Sequence, residues 1–261
     1  MLSIFNDYKI YEVPNRFSYQ HLLLIFIDII YIFSMIYFLR NKSKKTQKIV
    51  LLSLNIACAL IFAGRMFFGW EGSRIYNEGS KTSLLPFELC NLNIFISLIA
   101  LIIDKKFLNN YLYFVSMIGA LVPLLVFPDI HMITNGNNLF HYMFFDYWFI
   151  HTQLVLIPLA MISWKWFKPN FKIIPYVSLT LFGVHLFCFL SSALLRNFPS
   201  FSTANYMYTM SHNNLPVLRN LYSIIPFPYL YELPLIIPIV GLFILMTLPF
   251  KIKKGGKENV K

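Results

Sequence analysis

The chain has 261 residues, 57% of them hydrophobic, 18% aromatic and only 13% charged, with a mean hydropathy of +0.61. A soluble domain carries about 25% charged residues, so this composition excludes one and points to a protein built in a bilayer. The formal net charge of +11 would suit a nucleic-acid partner, but the placement of the cations excludes that reading as well.

Crossing about 30 Å of hydrocarbon takes about 18 or more apolar residues rising ~1.5 Å each. Seven stretches qualify, which predicts an all-α polytopic bundle of about seven transmembrane helices forming a single domain over 1–261. After a short leader, the first span, 19–39, carries His21 and Asp28. The second, 49–70, holds Asn55, Cys58, Phe62 and Arg65 on one helical face, since these recur at steps of three and four. The third, 84–103, opens with Glu88, Cys90, Asn91 and Asn93. The fourth, 107–127, is apolar, and the fifth, 143–165, carries Asp146 and His151. The sixth, 173–195, repeats Ser178, His185, Cys188 and Ser192 at helical spacing. A long segment at 197–232, rich in Tyr, Phe, Pro and Asn, precedes the seventh span at 233–250 and is expected to lie on or dip into the outer face as a lid.

Arg40, Lys42, Lys44, Lys45 and Lys48 follow the first span, Lys105 and Lys106 the third, Lys165, Lys168 and Lys172 the fifth, and five lysines the seventh. Fifteen of the 22 Lys and Arg residues therefore fall on one side, which puts the N-terminus out and the C-terminus in. The N-terminus has no basic leader ahead of a short apolar core and small-residue cleavage site, so the first span is expected to remain as a helix. The chain is expected in the cell membrane as a multi-pass protein.

An ionisable side chain in hydrocarbon costs several kcal/mol unless it faces a partner, a cavity or water, so a cluster of them marks a functional site. The crowding of a thiol, a carboxylate and two amides at 88–93 is the strongest such cluster here. A thiol attacks carbonyls as its thiolate and needs a base in reach, for which His151 is the natural partner. Counted inward from the outer boundary, Cys90 and His151 lie at similar depths. No carboxylate stands three or four residues from His151 in its own helix, so its orienting group is expected from another helix, Glu88 or Asp28, or from the Tyr147 hydroxyl. An oxyanion needs fixed donors, for which Asn91, Asn93 and Asn205 are candidates; Arg65 is a candidate for a lipid phosphate or for an ion pair with Glu88. Cys58 and Cys188 read as packing residues. Three cysteines inside spans make no disulfide framework, and no CxxC or Cys/His metal spacing occurs, so no metal site is expected.

Leu85-Pro86-Phe87-Glu88-Leu89-Cys90, Gly119-Ala120-Leu121 leading to Pro128-Asp129, Phe149-Ile150-His151, and Ala204-Asn205-Tyr206-Met207 with the Pro-rich aromatic stretch after it resemble, in that order, the YwaF-like bacterial integral membrane proteins. That group is related to the eukaryotic transmembrane protein 164 family, and the resemblance runs over 49 to about 248. It implies that Cys90 is an acyl-accepting nucleophile and His151 its base, moving a fatty acyl chain between phospholipid and lysophospholipid through a thioester without a cofactor. It assigns no role to Glu88. Hydrolysis of a lipid is the nearest variant of that chemistry. From other classes, a transporter or receptor-like bundle would use Asp28, Arg65, Glu88, Asp146 and His151 as a proton or solute path with a structural cysteine, and a scaffold would make Cys90 replaceable. A path needs polar residues through the whole thickness, whereas most of those here sit in the outer half.

Overall fold

The computed structural model describes residues 17–68, 81–126, 142–213 and 215–251. Among them, seven helices are long and apolar enough to cross a membrane, and there is no strand. Helix α1 spans Tyr19–Leu39, α2 Lys44–Phe68, α3 Leu89–Ile103, α4 Lys106–Val126, α5 Tyr142–Ser163 and α6 Ile174–Leu195. A short helix, α7, covers Pro216–Ile224, and α8 covers Ile236–Lys251. The short leader up to residue 16, the Pro128-Asp129 motif and all but the first of the five lysines after the seventh span lie outside the described residues.

Three boundaries differ from the sequence reading, each for a local reason. Helix α2 begins at Lys44 rather than 49, because its lysines keep their heads at the bundle end: Lys44 Nζ lies 2.6 Å from Asp104 and Lys48 Nζ donates to the Ile102 carbonyl at 3.0 Å. Helix α3 begins at Leu89 rather than 84, since Pro86 disfavours helical backbone before it and Leu85 is extended, after a 3-10 turn at Thr82–Leu84. Around Pro234 the chain forms a 3-10 turn, Leu230–Leu235, so α8 starts at Ile236. Within the segment at 197–232, Pro216 at the first helical position starts the amphipathic α7.

Helix α5 is the axis of the bundle: α1, α2, α3 and α4 all pack on it, and it is the most enclosed of the spanning helices. That is why it can carry Asp146, His151, Thr152 and Gln153 without exposing them to lipid. The peripheral helices α1, α6 and α8 instead turn large apolar side chains outward, among them Phe33, Leu179 and Ile237. Hydrogen bonds tie the layers together. Asn55 Nδ2 donates to the Ile94 carbonyl at 2.9 Å and Ser97 Oγ donates to Asn55 Oδ1 at 2.7 Å, linking α2 and α3. The Tyr31 hydroxyl donates to Gln153 at 3.3 Å, and His21 Nε2 contacts the Leu124 carbonyl at 2.8 Å. Because the Phe17 N–H donates to His21 Nδ1, that nitrogen is the bare one and Nε2 carries the proton.

One end of the bundle is basic. There Trp166 Nε1 donates to Gln47 Oε1 at 2.8 Å and the Asn170 N–H to Asn110 Oδ1 at 3.0 Å, closing the α1–α2, α3–α4 and α5–α6 turns on each other. The opposite end carries the starts of α3 and α5, and the chain after α6 folds over it. Gly119 lets α4 approach the first residue of α3 closely: a Cβ there would lie 3.2 Å from Leu89 Cδ2.

Asp104 ends α3 in the left-handed region at φ 52, which Asp and Asn tolerate. Partial burial opposes its ionisation, but the hydrogen bonds from Lys44 and Asn109 outweigh this and hold its carboxyl below the usual carboxylate range. A depressed folded value stabilises fully above the ordinary range near pH 4 and loses that contribution as pH falls. Asp104→Asn, which keeps the left-handed cap, is expected to lower stability in detergent at pH 7 by less than about 1 kcal/mol. The gap should close near pH 3; thermal unfolding that shows the same gap at both pH values would contradict this.

Candidate functional site

Four segments converge at the end opposite the basic turns: the last turns of α2, the start of α3, the first three turns of α5, and the loop after α6. Their polar side chains are joined through Arg65. Its Nε and Nη2 both reach Asp146 Oδ2, at 3.0 and 2.5 Å, Nη1 donates to the Ser83 carbonyl at 3.3 Å, and Nη2 to Asn91 Oδ1 at 3.4 Å. The guanidinium also lies 4.7 Å from the Phe62 ring centroid. Most of its donors are therefore spent inside the protein. Its ion-pair partner is Asp146 rather than Glu88, because α5 presents Asp146 wholly buried beside α2 and only a cation can pair it there.

Cys90 is the second residue of α3 and lies at the centre of that helix's buried face. At 100° per residue its direction falls between those of Asn93 and Ile94, both buried. Of the three cysteines, Cys58 and Cys188 are fully buried and only Cys90 is partly exposed. Cys188 donates to the Phe87 carbonyl at 3.0 Å, a structural contact. Cys90 Sγ faces Asn91 Oδ1 at 3.8 Å, and the Asn91 backbone N–H is directed at the sulfur. The first-turn N–H groups of a helix have no acceptor within it, so the start of α3 offers backbone donors beside the thiol.

His151 is oriented by its own helix. Nδ1 lies 2.6 Å from the Tyr147 carbonyl, which can only accept, so Nδ1 carries the proton and Nε2 the lone pair of a base. This corrects the expectation of an orienting group from Glu88, Asp28 or the Tyr147 hydroxyl: a residue four positions earlier supplies it from the main chain. Asp28 faces Trp148 and Thr152 instead. The Tyr147 ring lies 4.3 Å from the imidazole, between ring centroids. No hydrogen bond joins Cys90 to His151 directly. The Arg65 tie sets Asn91 beside Asp146, and His151 lies five residues further along α5, about 7.5 Å at 1.5 Å per residue.

The remaining candidates separate. Glu88 accepts the Met207 N–H at 3.1 Å and so holds the loop down on α3. Asn205 spends its whole amide on that loop: Oδ1 accepts from the Met210 and Ser211 N–H groups at 2.8 and 3.0 Å, and Nδ2 donates to Ser211 and Asn213. It has nothing left for an oxyanion. Asn93 is 1% exposed, and neither its Oδ1 nor its Nδ2 has a hydrogen-bond partner among the described residues. Asp146 Oδ1 is likewise buried and without a hydrogen bond among them.

The loop adds two groups that sequence reasoning passed over. Met207 and Tyr208 adopt left-handed backbone, at φ 54 and 63, a conformation costly for residues with side chains. Bonds from Tyr206 to Ser192 and Thr82, and from the Tyr231 hydroxyl to the Tyr208 carbonyl, hold it. Burial, with Glu88, Cys90 and Glu232 close by, pushes the Tyr208 phenol up to about 12. At neutral pH the phenol keeps its proton. The second is the pair of His185 Nε2 with Glu232, stacked under Tyr229 with 5.0 Å between ring centroids. Its signal in the sequence was that Glu232 is the only acidic residue of the 197–232 segment. Among the described residues no His, Cys, Asp and Glu cluster is arranged to hold a metal ion.

Breaking a buried pair by removing one partner costs about 3–5 kcal/mol, whereas replacing both by apolar residues of similar size is often neutral. Arg65→Met and Asp146→Leu are each expected to destabilise the protein by that order, and the double variant to recover most of the loss. Unfolding in detergent that shows simple additivity would contradict the account of the clamp.

Among curated proteins and among solved structures, no match to the chain was found. A model of the TMEM164 family matches residues 16–247, starting earlier than the resemblance read from the motifs and covering α1 as well. With that span matched and seven apolar helices in place, the chain is an integral membrane protein that belongs to the TMEM164 family.

Proposed function

We propose that the protein is a membrane-embedded, thiol-dependent acyltransferase that moves a fatty acyl chain between phospholipid and lysophospholipid, working in the cell membrane. The observation that carries this reading is a partly exposed cysteine at a helix start, at the same end of the bundle as a histidine whose Nε2 is left as a bare base. His151 takes the Cys90 proton as the sulfur attacks the ester carbonyl of a donor phospholipid. The C–O bond breaks, the imidazolium returns the proton to the leaving lysophospholipid, and an acyl thioester remains on Cys90. The hydroxyl of an acceptor lysophospholipid then attacks the thioester, giving its proton to His151, and the thiol is restored when the proton passes back to sulfur.

Catalytic hydrogen bonds are often long before substrate binds and tighten in the complex, so the separation of thiol and imidazole suits a resting site. The oxyanion falls to donors near the sulfur, for which the Asn91 N–H and the Tyr208 hydroxyl are better placed than Asn205. A solute path is less well supported, because three of the buried polar groups nearer the basic end, Gln47, Asn55 and Asn110, are engaged in ties between helices and turns.

The test is lipid mass spectrometry on protein in liposomes with a diacyl phospholipid and an isotope-labelled lysophospholipid. Wild type is expected to form labelled diacyl product, and Cys90→Ser and His151→Ala to lose at least about a hundredfold in rate, the scale of general base catalysis. Free fatty acid as the sole product would make the enzyme a hydrolase. Equal traces from all three proteins would overturn the reading.

A further inference from the structure

Between α6 and α8, beside α4, lies a cavity of about 410 Å³. That is within the range of ligand pockets, about 300–1,000 Å³. Val122 of α4, Leu181 and Phe182 of α6, and Ile239 and Val240 of α8 form its apolar wall. Phe182 and Ile236, which line it, are 36% and 39% exposed and belong to α6 and α8, the peripheral helices that turn apolar side chains outward, so we take the cavity to open between them on the flank of the bundle. Its few polar groups, Ser178, Tyr208 and the His185–Glu232 pair, interrupt a wall that is otherwise apolar.

Two features tie this cavity to the thiol. Leu89, which precedes Cys90, forms part of its wall, as do Met207 and Tyr208, the first bonded to Glu88 and the second within electrostatic reach of Cys90, Glu88 and Glu232. A space of this composition between spanning helices, apolar over most of its wall with its few polar groups at intervals, suits a lipid tail better than a polar solute. A buried His–Glu pair gives such a wall little packing benefit, but it does provide hydrogen-bonding groups for an ester.

We propose that the cavity between α6 and α8 binds one fatty acyl chain of a membrane lipid, entered sideways from the bilayer, with its ester end toward Leu89, Tyr208 and Cys90. The direction assigned to the chain rests on the acyl-transfer reading; occupancy by an acyl chain does not.

Full-length protein carrying Cys90→Ser, which cannot form the thioester, is placed in liposomes containing phosphatidylcholine with a diazirine midway along one acyl chain. After irradiation, adducts are mapped by mass spectrometry with and without excess palmitoyl lysophosphatidylcholine. Adducts on the α6 and α8 wall are expected to be displaced by the competitor, while those on Phe33, 68% exposed on α1, are not. Val240→Trp, which fills the cavity, should abolish the displaceable adducts and keep those on Phe33, which also reports that the variant is folded. Leu245→Trp, on the lipid-facing side of α8, should change neither. Wall adducts no more displaceable than those on Phe33, or displaceable adducts surviving in folded Val240→Trp, would overturn the proposal. Displaceable labelling without acyl transfer by wild type would keep the pocket and remove the reaction; transfer without displaceable labelling would do the reverse.

Discussion

The arrangement of the site depends on one buried ion pair. Arg65 and Asp146 sit inside a membrane-spanning bundle where neither charge is tolerable alone, and their contact fixes the height of α2 against α5. Because the same guanidinium also reaches Ser83 and Asn91, it fixes the entry to α3 as well. Cys90 is thus placed by a charge it does not touch. Charge neutralisation within the protein is also what turns Arg65 from a candidate phosphate binder into the fastening of the site.

The second constraint is enclosure. A helix packed against four others can keep a histidine and a carboxylate out of the lipid, and α5 is the most enclosed of the spanning helices described. Its imidazole is held by its own backbone, which leaves one nitrogen for chemistry without calling on a second buried carboxylate. The loop after α6 then completes the end: Glu88, Asn205 and Tyr206 hold Met207 and Tyr208 in a strained backbone over the start of α3. Strain of this kind persists where the surroundings over-determine it, as at ligand sites.

Much of this was legible in the sequence. Hydropathy and length gave the seven spans, since every crossing must cover the same hydrocarbon thickness with its backbone paired internally, and the crowding at 88–93 singled out the candidate site. What escaped were features set by backbone or by distant partners. The carbonyl that orients His151 belongs to Tyr147 and has no side-chain signature. The choice of Asp146 over Glu88 for Arg65 depends on helix packing, and either was consistent with spacing. Asn205 stood in the right segment, but its short amide is taken up in shaping the loop. Helix starts at Leu89 and Ile236 followed from Pro86 and Pro234, which a hydropathy window averages away.

The central claim is that Cys90 carries an acyl group during turnover. Protein incubated in liposomes with an isotope-labelled diacyl phospholipid, quenched in acid and digested, should yield the Cys90 peptide heavier by one labelled acyl chain, with the added mass released by hydroxylamine as a thioester requires. The account predicts that adduct on Cys90 and not on Cys58 or Cys188. An unmodified Cys90 peptide from protein that is transferring acyl chains would contradict it.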